Sequence, residues 1–256
     1  MRLSIITILV FISVFSAAQT DSVLSGVYYW QQPVKKAKRN TKSAVLFEGK
    51  THDMQWMKVS GNILATSKKE NKIKVPQNEE QIIIVKKGVL DINLDKTNYH
   101  LVSGSVIVLL PGESASVVNL QADDCEYYHL QYKSKMPVNT ERGKNAGGSF
   151  VKDFSQIEFK PHDKGGIRNY FERPTAMGKR LEMHVTTLNP GIKSHEPHTH
   201  RAEEIVLMIE GNTEMQIDKG FKQGSEGALY YLGSNVPHAI RNIGKEPCMY
   251  FAFQFE

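Results

Sequence analysis

The 256-residue chain contains only two cysteines, Cys125 and Cys248, and this scarcity excludes a fold held together by a disulfide framework. Both cysteines lie in apolar, strand-like segments rich in aromatic residues. A free cysteine in such surroundings behaves as a small hydrophobic residue. We therefore expect two buried free thiols.

The chain also lacks any segment that keeps a helical apolar period over three turns, so helices should be few and short. Short apolar runs are instead separated by turn residues, for example at Gly61, Pro111 and Gly191. Hydrophobic residues make up 40% of the chain, which excludes disorder for most of it. The pattern predicts an all-β sandwich or barrel.

A strong charge of one sign is absent as well. The formal net charge is only +5, and much of it comes from a basic group near the N-terminus: Lys35, Lys36, Lys38, Arg39 and Lys42. No segment interleaves basic and aromatic residues as a nucleic-acid groove does, so nucleic acid is not an expected partner.

The N-terminal residues 1–18 are typical of a secretory signal. Arg2 is followed by an apolar stretch over residues 3–15 and by the small residues 16–18, with Gln19 as the first residue of the mature protein. The apolar stretch is short for a membrane span. We expect export to the periplasm or the extracellular space, with a buried N-terminal helix or an uncleaved anchor as alternatives.

The chain matches itself at a constant offset, 205 − 82 = 123 residues. Chance would give roughly three identities over residues 81–131. There are ten: Ile82/Ile205, Gly88/Gly211, Asp95/Asp218, Lys96/Lys219, Gly104/Gly227, Leu109/Leu232, Asn119/Asn242, Cys125/Cys248, Tyr127/Tyr250 and Gln131/Gln254. A duplication is the simplest interpretation.

The repeat predicts a division of the chain. Residues 1–18 are the signal, and residues 19–42 form a basic leader. Residues 43–135 form a first barrel and residues 166–256 a second one, joined by a polar linker over residues 136–165.

The most informative pattern combines three imidazoles with one carboxylate: His198, His200, Glu204 and His238. His198 and His200 are two residues apart, so on a strand both side chains leave the same face, and Glu204 follows at an even spacing. Imidazole is the commonest ligand of first-row divalent metals. The spacing predicts a metal bound inside a small β-barrel.

Two neighbouring groups are expected to stay out of this set. His195 is an odd number of residues from His198, which favours a surface or supporting role, although Pro197 could change the register. Glu203 should point away because Glu204 takes the inward direction.

The same residues resemble the two motifs of the cupin superfamily. Gly191, His198, His200, Glu204 and Gly211 fit the first motif, with one extra residue after Gly191. The second motif follows in order: Gly227, His238 and Asn242 fit it, although Gly233 and Asn235 replace its usual Pro and Gly. Together with the repeat, the resemblance implies a bicupin, two tandem double-stranded β-helix (jelly-roll) barrels with few short helices.

The resemblance implies that His198, His200, Glu204 and His238 are metal ligands, that Gly191, Gly211 and Gly227 serve turns, and that Asn242 is structural. Such a site suits manganese or iron(II), with zinc or nickel as alternatives, and leaves about two coordination positions for water or substrate.

The first barrel carries different residues at the corresponding positions. Subtracting 123 gives Val75, Gln77, Gln81 and Ala115, and Val and Ala cannot ligate a metal. We therefore expect this metal site only in the second barrel, with a structural role or a different ligand site in the first.

Arginines concentrate in the second half of the chain, which favours an acidic organic substrate. Arg168 and Arg173, in the segment that leads into the second barrel, are the candidates for substrate contact or for a clasp between the barrels. His195, Glu203, Tyr230 and Tyr231 are candidate proton-transfer groups.

The expected function is that of an exported metal-dependent enzyme acting on a small, polar, anionic metabolite such as a carboxylate or sugar acid. Related cupins include dioxygenases, decarboxylases, isomerases and hydrolases. Ureidoglycine aminohydrolase-type bicupins resemble the chain in length and in confining the metal to the second barrel, but their ligand order differs. Two alternatives stay open, a non-catalytic cupin that binds a sugar-like or acidic ligand and a structural oligomeric barrel. A homodimer is a further possible assembly.

Overall fold

A computed structural model describes residues 22–32, 35–38 and 40–256. The predicted signal at residues 1–18 and Arg39 lie outside the described residues. The described part is almost entirely β-structure, which confirms the predicted fold class. It contains no helix long and apolar enough to cross a membrane.

Among the described residues of the first half, eleven strands precede a single short helix. These strands are β1 (Gly26–Tyr29), β2 (Lys35–Lys38), β3 (Thr41–Gly49), β4 (Met54–Leu64), β5 (Ser67–Lys74), β6 (Glu80–Lys87), β7 (Val89–Leu94), β8 (Thr97–Val102), β9 (Val106–Leu109), β10 (Ser114–Asn119) and β11 (Cys125–Ser134).

Helix α1 (Thr140–Asn145) and a 3-10 turn (Phe154–Gln156) accompany the remaining strands. These strands are β12 (Phe150–Lys152), β13 (Lys160–His162), β14 (Gly165–Arg173), β15 (Leu181–Leu188), β16 (Glu203–Glu210), β17 (Asn212–Ile217), β18 (Gly220–Ser225), β19 (Ala228–Leu232), β20 (His238–Asn242) and β21 (Cys248–Phe255).

The strands form two similar barrels. The first combines a seven-stranded sheet, in the order β12-β9-β6-β11-β4-β3-β2, with a four-stranded sheet, β5-β10-β7-β8. The second combines a seven-stranded sheet, β1-β19-β16-β21-β15-β14-β13, with the three-stranded sheet β18-β17-β20. Each barrel encloses an apolar core of its own, in which Cys125 and Cys248 are buried as free thiols.

The two barrels exchange an edge strand. Strand β1 precedes the first barrel in sequence but pairs with β19 of the second, with Gly26 opposite Tyr231. Strand β12 lies in the predicted linker and pairs with β9 of the first barrel, with Phe150 opposite Val108. The two pairings use equivalent positions of the repeat, so each barrel completes a sheet of the other.

The repeat is also visible in local conformation. The backbones of Gly88 and Gly211 have φ values of +78° and +83°. Such values favour glycine, and a Cβ on Gly211 would lie 2.6 Å from that of Cys248. Asn119 and Asn242 each donate two side-chain hydrogen bonds to backbone carbonyls, so the predicted structural role of Asn242 has a repeated counterpart.

A third apolar core lies between the barrels and includes residues of both. Side chains that alternate along the strands supply the residues of this shared core. Ile82 and Ile84 of β6 belong to the shared core, whereas Ile83 and Val85 face the interior of the first barrel. Strand β16 divides its side chains in the same way, so each barrel has one face of its main sheet inside and one against its twin.

Two buried glutamates join the barrels reciprocally. Glu80 of the first barrel accepts hydrogen bonds at Oε1 from the backbone N–H groups of Ala176 and Met177, at 2.7 and 3.2 Å. Its Oε2 accepts from the hydroxyls of Thr175 and Tyr132, both at 2.8 Å. Three of these four donors come from a turn that precedes β15 of the other barrel.

Glu203 of the second barrel makes the reverse connection. Its Oε2 accepts from Thr51 Oγ1 and Asp53 N, both at 2.8 Å. Its Oε1 accepts from His52 N at 2.9 Å and from the Tyr231 hydroxyl. Both glutamates are fully buried, so each depends on these donors to offset the loss of hydration.

The two carboxylates differ in one detail that predicts different responses to substitution. In Glu80 both backbone donors meet the same oxygen, so a glutamine can keep its carbonyl there and donate from its amide to the two hydroxyls. In Glu203 each oxygen accepts from one backbone N–H. The N–H₂ group of a glutamine at this position must therefore face a backbone N–H, and two donors then meet without an acceptor. We expect Glu203→Gln to lower the free energy of unfolding by about 1–3 kcal/mol, and Glu80→Gln by less.

Urea unfolding of both variants in the presence of a chelator measures this difference without a contribution from bound metal. The two substitutions remove the same charge from equivalent positions, so each is the control for the other. A larger loss for Glu80→Gln than for Glu203→Gln would contradict the assignment of donors.

Burial raises the pKa of Glu80 above its usual value, and the hydrogen bonds it accepts only partly oppose this. A carboxyl whose pKa is raised by folding stabilises the folded state below its unfolded pKa, near 4.5, and this contribution is lost as the pH rises through the folded pKa. The stability of the wild-type protein relative to Glu80→Gln should therefore fall as the pH rises from about 4 to 7. Unfolding titrations across this range test the sign, and a wild-type advantage that grows with pH would contradict it.

Candidate metal centre

The four predicted ligands come together at one end of the second barrel. His198 and His200 lie in the loop between β15 and β16, Glu204 lies on β16, and His238 begins β20. The two loop histidines do not lie on a regular strand, because only an isolated bridge forms there. That bridge pairs His198 with His238 through hydrogen bonds of 3.2 and 3.1 Å, and it holds the two imidazoles side by side.

The imidazoles converge. Ligating nitrogens of His198, His200 and His238 all lie within 4.8 Å of one another. Glu204 Oε2 lies 2.9 Å from His200 Nε2 and 3.3 Å from His238 Nε2. Glu204 and His238 are buried, whereas His198 is exposed, so the cluster has one open side.

Backbone carbonyls orient two of the rings. His200 Nδ1 lies 2.8 Å from Ala202 O, and His238 Nδ1 lies 2.8 Å from Val236 O. Because a carbonyl only accepts, each Nδ1 carries a proton, and in the neutral ring Nε2 presents its lone pair to the cluster. His238 Nε2 is buried and makes no hydrogen bond among the described residues, despite its proximity to Glu204.

The electrostatics of the cluster favour an ionised carboxylate. Burial raises the pKa of Glu204, but without a bound metal the proton of His200 Nε2 and the positive charge of protonated His200 and His238 outweigh it and bring the pKa to about 2. The hydrogen bond to Glu204 likewise raises the pKa of His200, so a metal that binds here displaces the proton from this ring. Burial and the neighbouring imidazoles lower the pKa of His198, which favours its neutral form. Neutral imidazoles and an ionised carboxylate are the states in which these groups ligate metals.

The residues present therefore fit a divalent first-row metal. Three lone pairs and a carboxylate oxygen face one small volume, and two of the three rings have the backbone partner that usually fixes a metal-bound histidine. Manganese, iron, zinc and nickel all accept this set of donors.

Three side chains of the cluster, His198, Glu204 and His238, line a cavity of about 300 Å³ inside the barrel. His162, Lys164, His184 and His195 add cationic or titratable groups to the lining, and Glu204 is its only acidic residue among those described. The remaining wall is mostly apolar: Leu188, Val206, Met215, Ile240, Tyr250 and Ala252.

Sequence reasoning missed Gln254, which lies at the base of the cluster. Its Nε2 is 3.3 Å from both His200 Nε2 and Glu204 Oε2. Gln254 is one of the ten identities of the repeat, and that identity was the available signal. Lys164 was missed as well. Its Nζ donates to Ser194 O at 2.7 Å, and nothing in the sequence pattern places it near the histidines.

The other candidates have different positions. His195 lies at the cavity with its ring 4.2 Å from that of His198, but it is not one of the three clustered histidines. Glu203 points away from the cluster, as predicted, and its carboxylate lies in the interface between the barrels. The Tyr231 hydroxyl binds Glu203 and the Tyr230 hydroxyl lies 3.1 Å from that of Thr213, and neither of these two candidate groups lines the cavity.

Arg168 and Arg173 are not among the residues that line the cavity. Arg168 stacks on the rings of Phe154 and Phe159, and Arg173 stacks on Phe150. Arg173 also donates to Gly148 O. Both arginines hold the connecting segment, which corresponds to the clasp rather than the substrate-binding alternative.

The first barrel places different chemistry at the equivalent positions. Val75 and Ala115 are buried in its apolar core. Gln81 takes the position of Glu204, and its Oε1 lies 2.9 Å from His129 Nε2. Gln77 is exposed and packs near Gly112.

We expect His238→Ala to weaken metal binding by at least about tenfold, because it removes one ligand of the four. His195→Ala removes an imidazole from the same cavity and should leave metal content unchanged. Elemental analysis after dialysis, with a competing chelator to measure affinity, checks both. Equal losses in the two variants would contradict the ligand assignment.

Comparisons with known proteins agree with this architecture. Residues 184–253, which include all four clustered side chains, match the family model described as Cupin domain. No curated protein matches the chain in sequence.

Solved structures are similar over nearly the whole chain. Protein Ylba from E. coli is 16% identical, with a TM-score of 0.68, and the match covers 94% of this chain and 95% of that one. AerE from Microcystis aeruginosa is 16% identical, with a TM-score of 0.66 and coverage of 90% and 98%. A mutant of Bacillus subtilis oxalate decarboxylase OxdC is 12% identical, with a TM-score of 0.67 and coverage of 93% and 79%. The chain therefore has the two-barrel fold of these proteins, and its second barrel carries a cupin domain.

Proposed function

We propose that the protein is a metal-dependent enzyme that acts on a small organic anion in the cavity of the second barrel. The observation that carries this proposal is the orientation of His200 and His238. Backbone carbonyls hold their Nδ1 atoms, so both Nε2 atoms face Glu204, and Glu204 and His238 line the open cavity. A metal bound there supplies a Lewis acid that polarises a substrate oxygen.

The lining supports an anionic substrate. Lys164, His162, His184 and His195 surround a cavity in which Glu204 is the only acidic residue among those described. Glu204 belongs to the ligand set, so its charge is directed at the metal. The Lys164 ammonium donates one hydrogen bond to Ser194 O and has further protons for a carboxylate.

The apolar wall limits the size and polarity of the substrate. Val206, Met215, Ile240 and Ala252 lie in the same cavity as the cationic groups. A cavity of about 300 Å³ is at the lower end of the usual range for small-molecule sites. These features favour a compact carboxylate or sugar acid with a short carbon skeleton.

Export, a likeness to one type of bicupin and assembly as a homodimer are further proposals. Export rests on residues 1–18, which lie outside the described part of the chain. The likeness to ureidoglycine aminohydrolase-type bicupins rests on length and on the location of the metal motif. A homodimer rests on the sequence alone.

The test combines metal analysis with a substrate screen. Purified protein loaded with manganese, iron(II), zinc or nickel is incubated with keto acids, dicarboxylates and sugar acids, and turnover is followed by NMR. We expect turnover with at least one anion and a loss of at least about a hundredfold in His238→Ala. A metal-bound protein that binds an anion without turnover would support the binding-protein alternative instead.

Lys164→Ala tests the anion contact separately from the metal. It should weaken substrate binding by about tenfold, through a higher KM, with metal content unchanged. Lys160→Ala removes the same charge from an exposed position of the same hairpin, outside the cavity lining, and is the matched control. Equal effects of the two substitutions would show that only the overall charge matters.

A further inference from the structure

The first barrel contains its own cavity, of about 390 Å³, at the place that corresponds to the metal cavity of the second. Gln81, Tyr127 and Gln131 of this cavity are the repeat equivalents of Glu204, Tyr250 and Gln254. The barrel has therefore kept the space and changed the chemistry of its walls.

The interior of this cavity is rich in amides and hydroxyls. Its lining includes the side chains of three strands that face inward, β4, β6 and β11. The amides and hydroxyls of the lining are Thr41, Ser43, Ser60, Asn62, Asn71, Gln81, Tyr127 and Gln131. The interior of a small barrel is normally filled by apolar side chains, so this concentration of polar groups needs a reason.

Several of these polar groups are more than nine-tenths buried. Gln81 is 2% exposed, Ser60 4% and Asn62 6%. Gln81 Oε1 accepts from His129 Nε2, so the amide N–H₂ is the group that Gln81 can offer to a ligand. Asn62 Nδ2 donates to Ser60 O and Oγ, at 3.3 and 3.2 Å, so its carbonyl oxygen is the group that it can offer.

Charge contributes little to this interior. No aspartate or glutamate is among the described residues that line the cavity. Lys58 lies 3.4 Å from Glu48, which neutralises it, and Lys72 and Lys74 occupy exposed positions of the edge strand β5. The charges of Lys72 and Lys74 thus lie at the exposed edge of the cavity, whereas its buried side chains present uncharged hydrogen-bond donors and acceptors.

We propose that this cavity binds a small neutral polyhydroxylated compound, a sugar or polyol, without a metal. A hydroxyl both donates and accepts, and primary amides with opposite orientations match that property from two sides. The Gln81 amide on β6 supplies donors and the Asn62 carbonyl on β4 supplies an acceptor, from the two strands that flank β11, with the Tyr127 ring of β11 as part of the wall. This site is independent of the metal chemistry proposed for the second barrel.

The experiment uses the full mature chain carrying His198→Ala, so that metal-dependent binding in the second barrel is disabled. Glucose, xylose and glycerol are the probes, with glucuronate and inorganic phosphate as charged comparisons. Saturation-transfer NMR detects binding, and calorimetry measures affinity. We expect at least one neutral probe to bind, with glucuronate no tighter than glucose.

Gln131→Leu and Gln81→Leu should each weaken that binding by at least tenfold. Gln131 is only partly buried, so its variant is the safer test if Gln81→Leu fails to fold. Gln55→Leu makes the same change on an exposed position of β4, outside the lining, and should change affinity by less than twofold. Absence of binding by every neutral probe, binding confined to glucuronate or phosphate, or an equal loss in Gln55→Leu would each overturn the proposal.

Discussion

The reciprocal burial of Glu80 and Glu203 is the constraint on which the rest of the architecture depends. Each carboxylate leaves its own barrel and is satisfied mainly by the turn that precedes a central strand of the other. A buried carboxylate without its donors would cost several kcal/mol. The two barrels therefore have to dock in one relative position, and the exchanged strands β1 and β12 close the sheets around that position.

The same constraint determines which way the metal ligand points. Glu203 and Glu204 are adjacent on β16, so an interface contact at Glu203 directs Glu204 into the barrel. A shift of one residue would exchange the two side chains and also move Ile205 and Leu207 out of the shared core. The docking of the barrels and the direction of the candidate ligand Glu204 are thus fixed by one strand register, and the bridge between His198 and His238 holds these two imidazoles together beside it.

The two-barrel fold and the candidate metal ligands could be predicted from the sequence, because both can be recognised from residue identities and spacings alone. The spacing of His198, His200 and Glu204 and the offset of 123 residues needed no knowledge of the fold. The contacts of Glu80 were not accessible, since three of its four donors are 95 to 97 residues away and two of these three are backbone groups. One signal was overlooked: Glu80 and Glu203 are themselves a repeat identity, one residue before the aligned segment begins. The stacking of Arg168 and Arg173 on aromatic rings was not accessible either, because composition cannot tell a stacking guanidinium from one that faces a ligand.

The two barrels can differ in the chemistry of their cavities because the candidate metal site needs only four side chains. The interface between the barrels depends on Glu80 and Glu203, the same glutamate in both copies of the repeat. The residues of the cavity walls lie outside the shared apolar core and are free to change. Replacing a glutamate by Gln81 removes the charge that a divalent ion needs, but the amide still fills the same space and finds a partner in His129. Val75 and Ala115 then extend the apolar core where imidazoles would otherwise need ligation. A barrel modified in this way keeps its fold, its docking and an enclosed polar cavity, so loss of the metal leaves a site whose chemistry is set by neutral hydrogen-bonding groups.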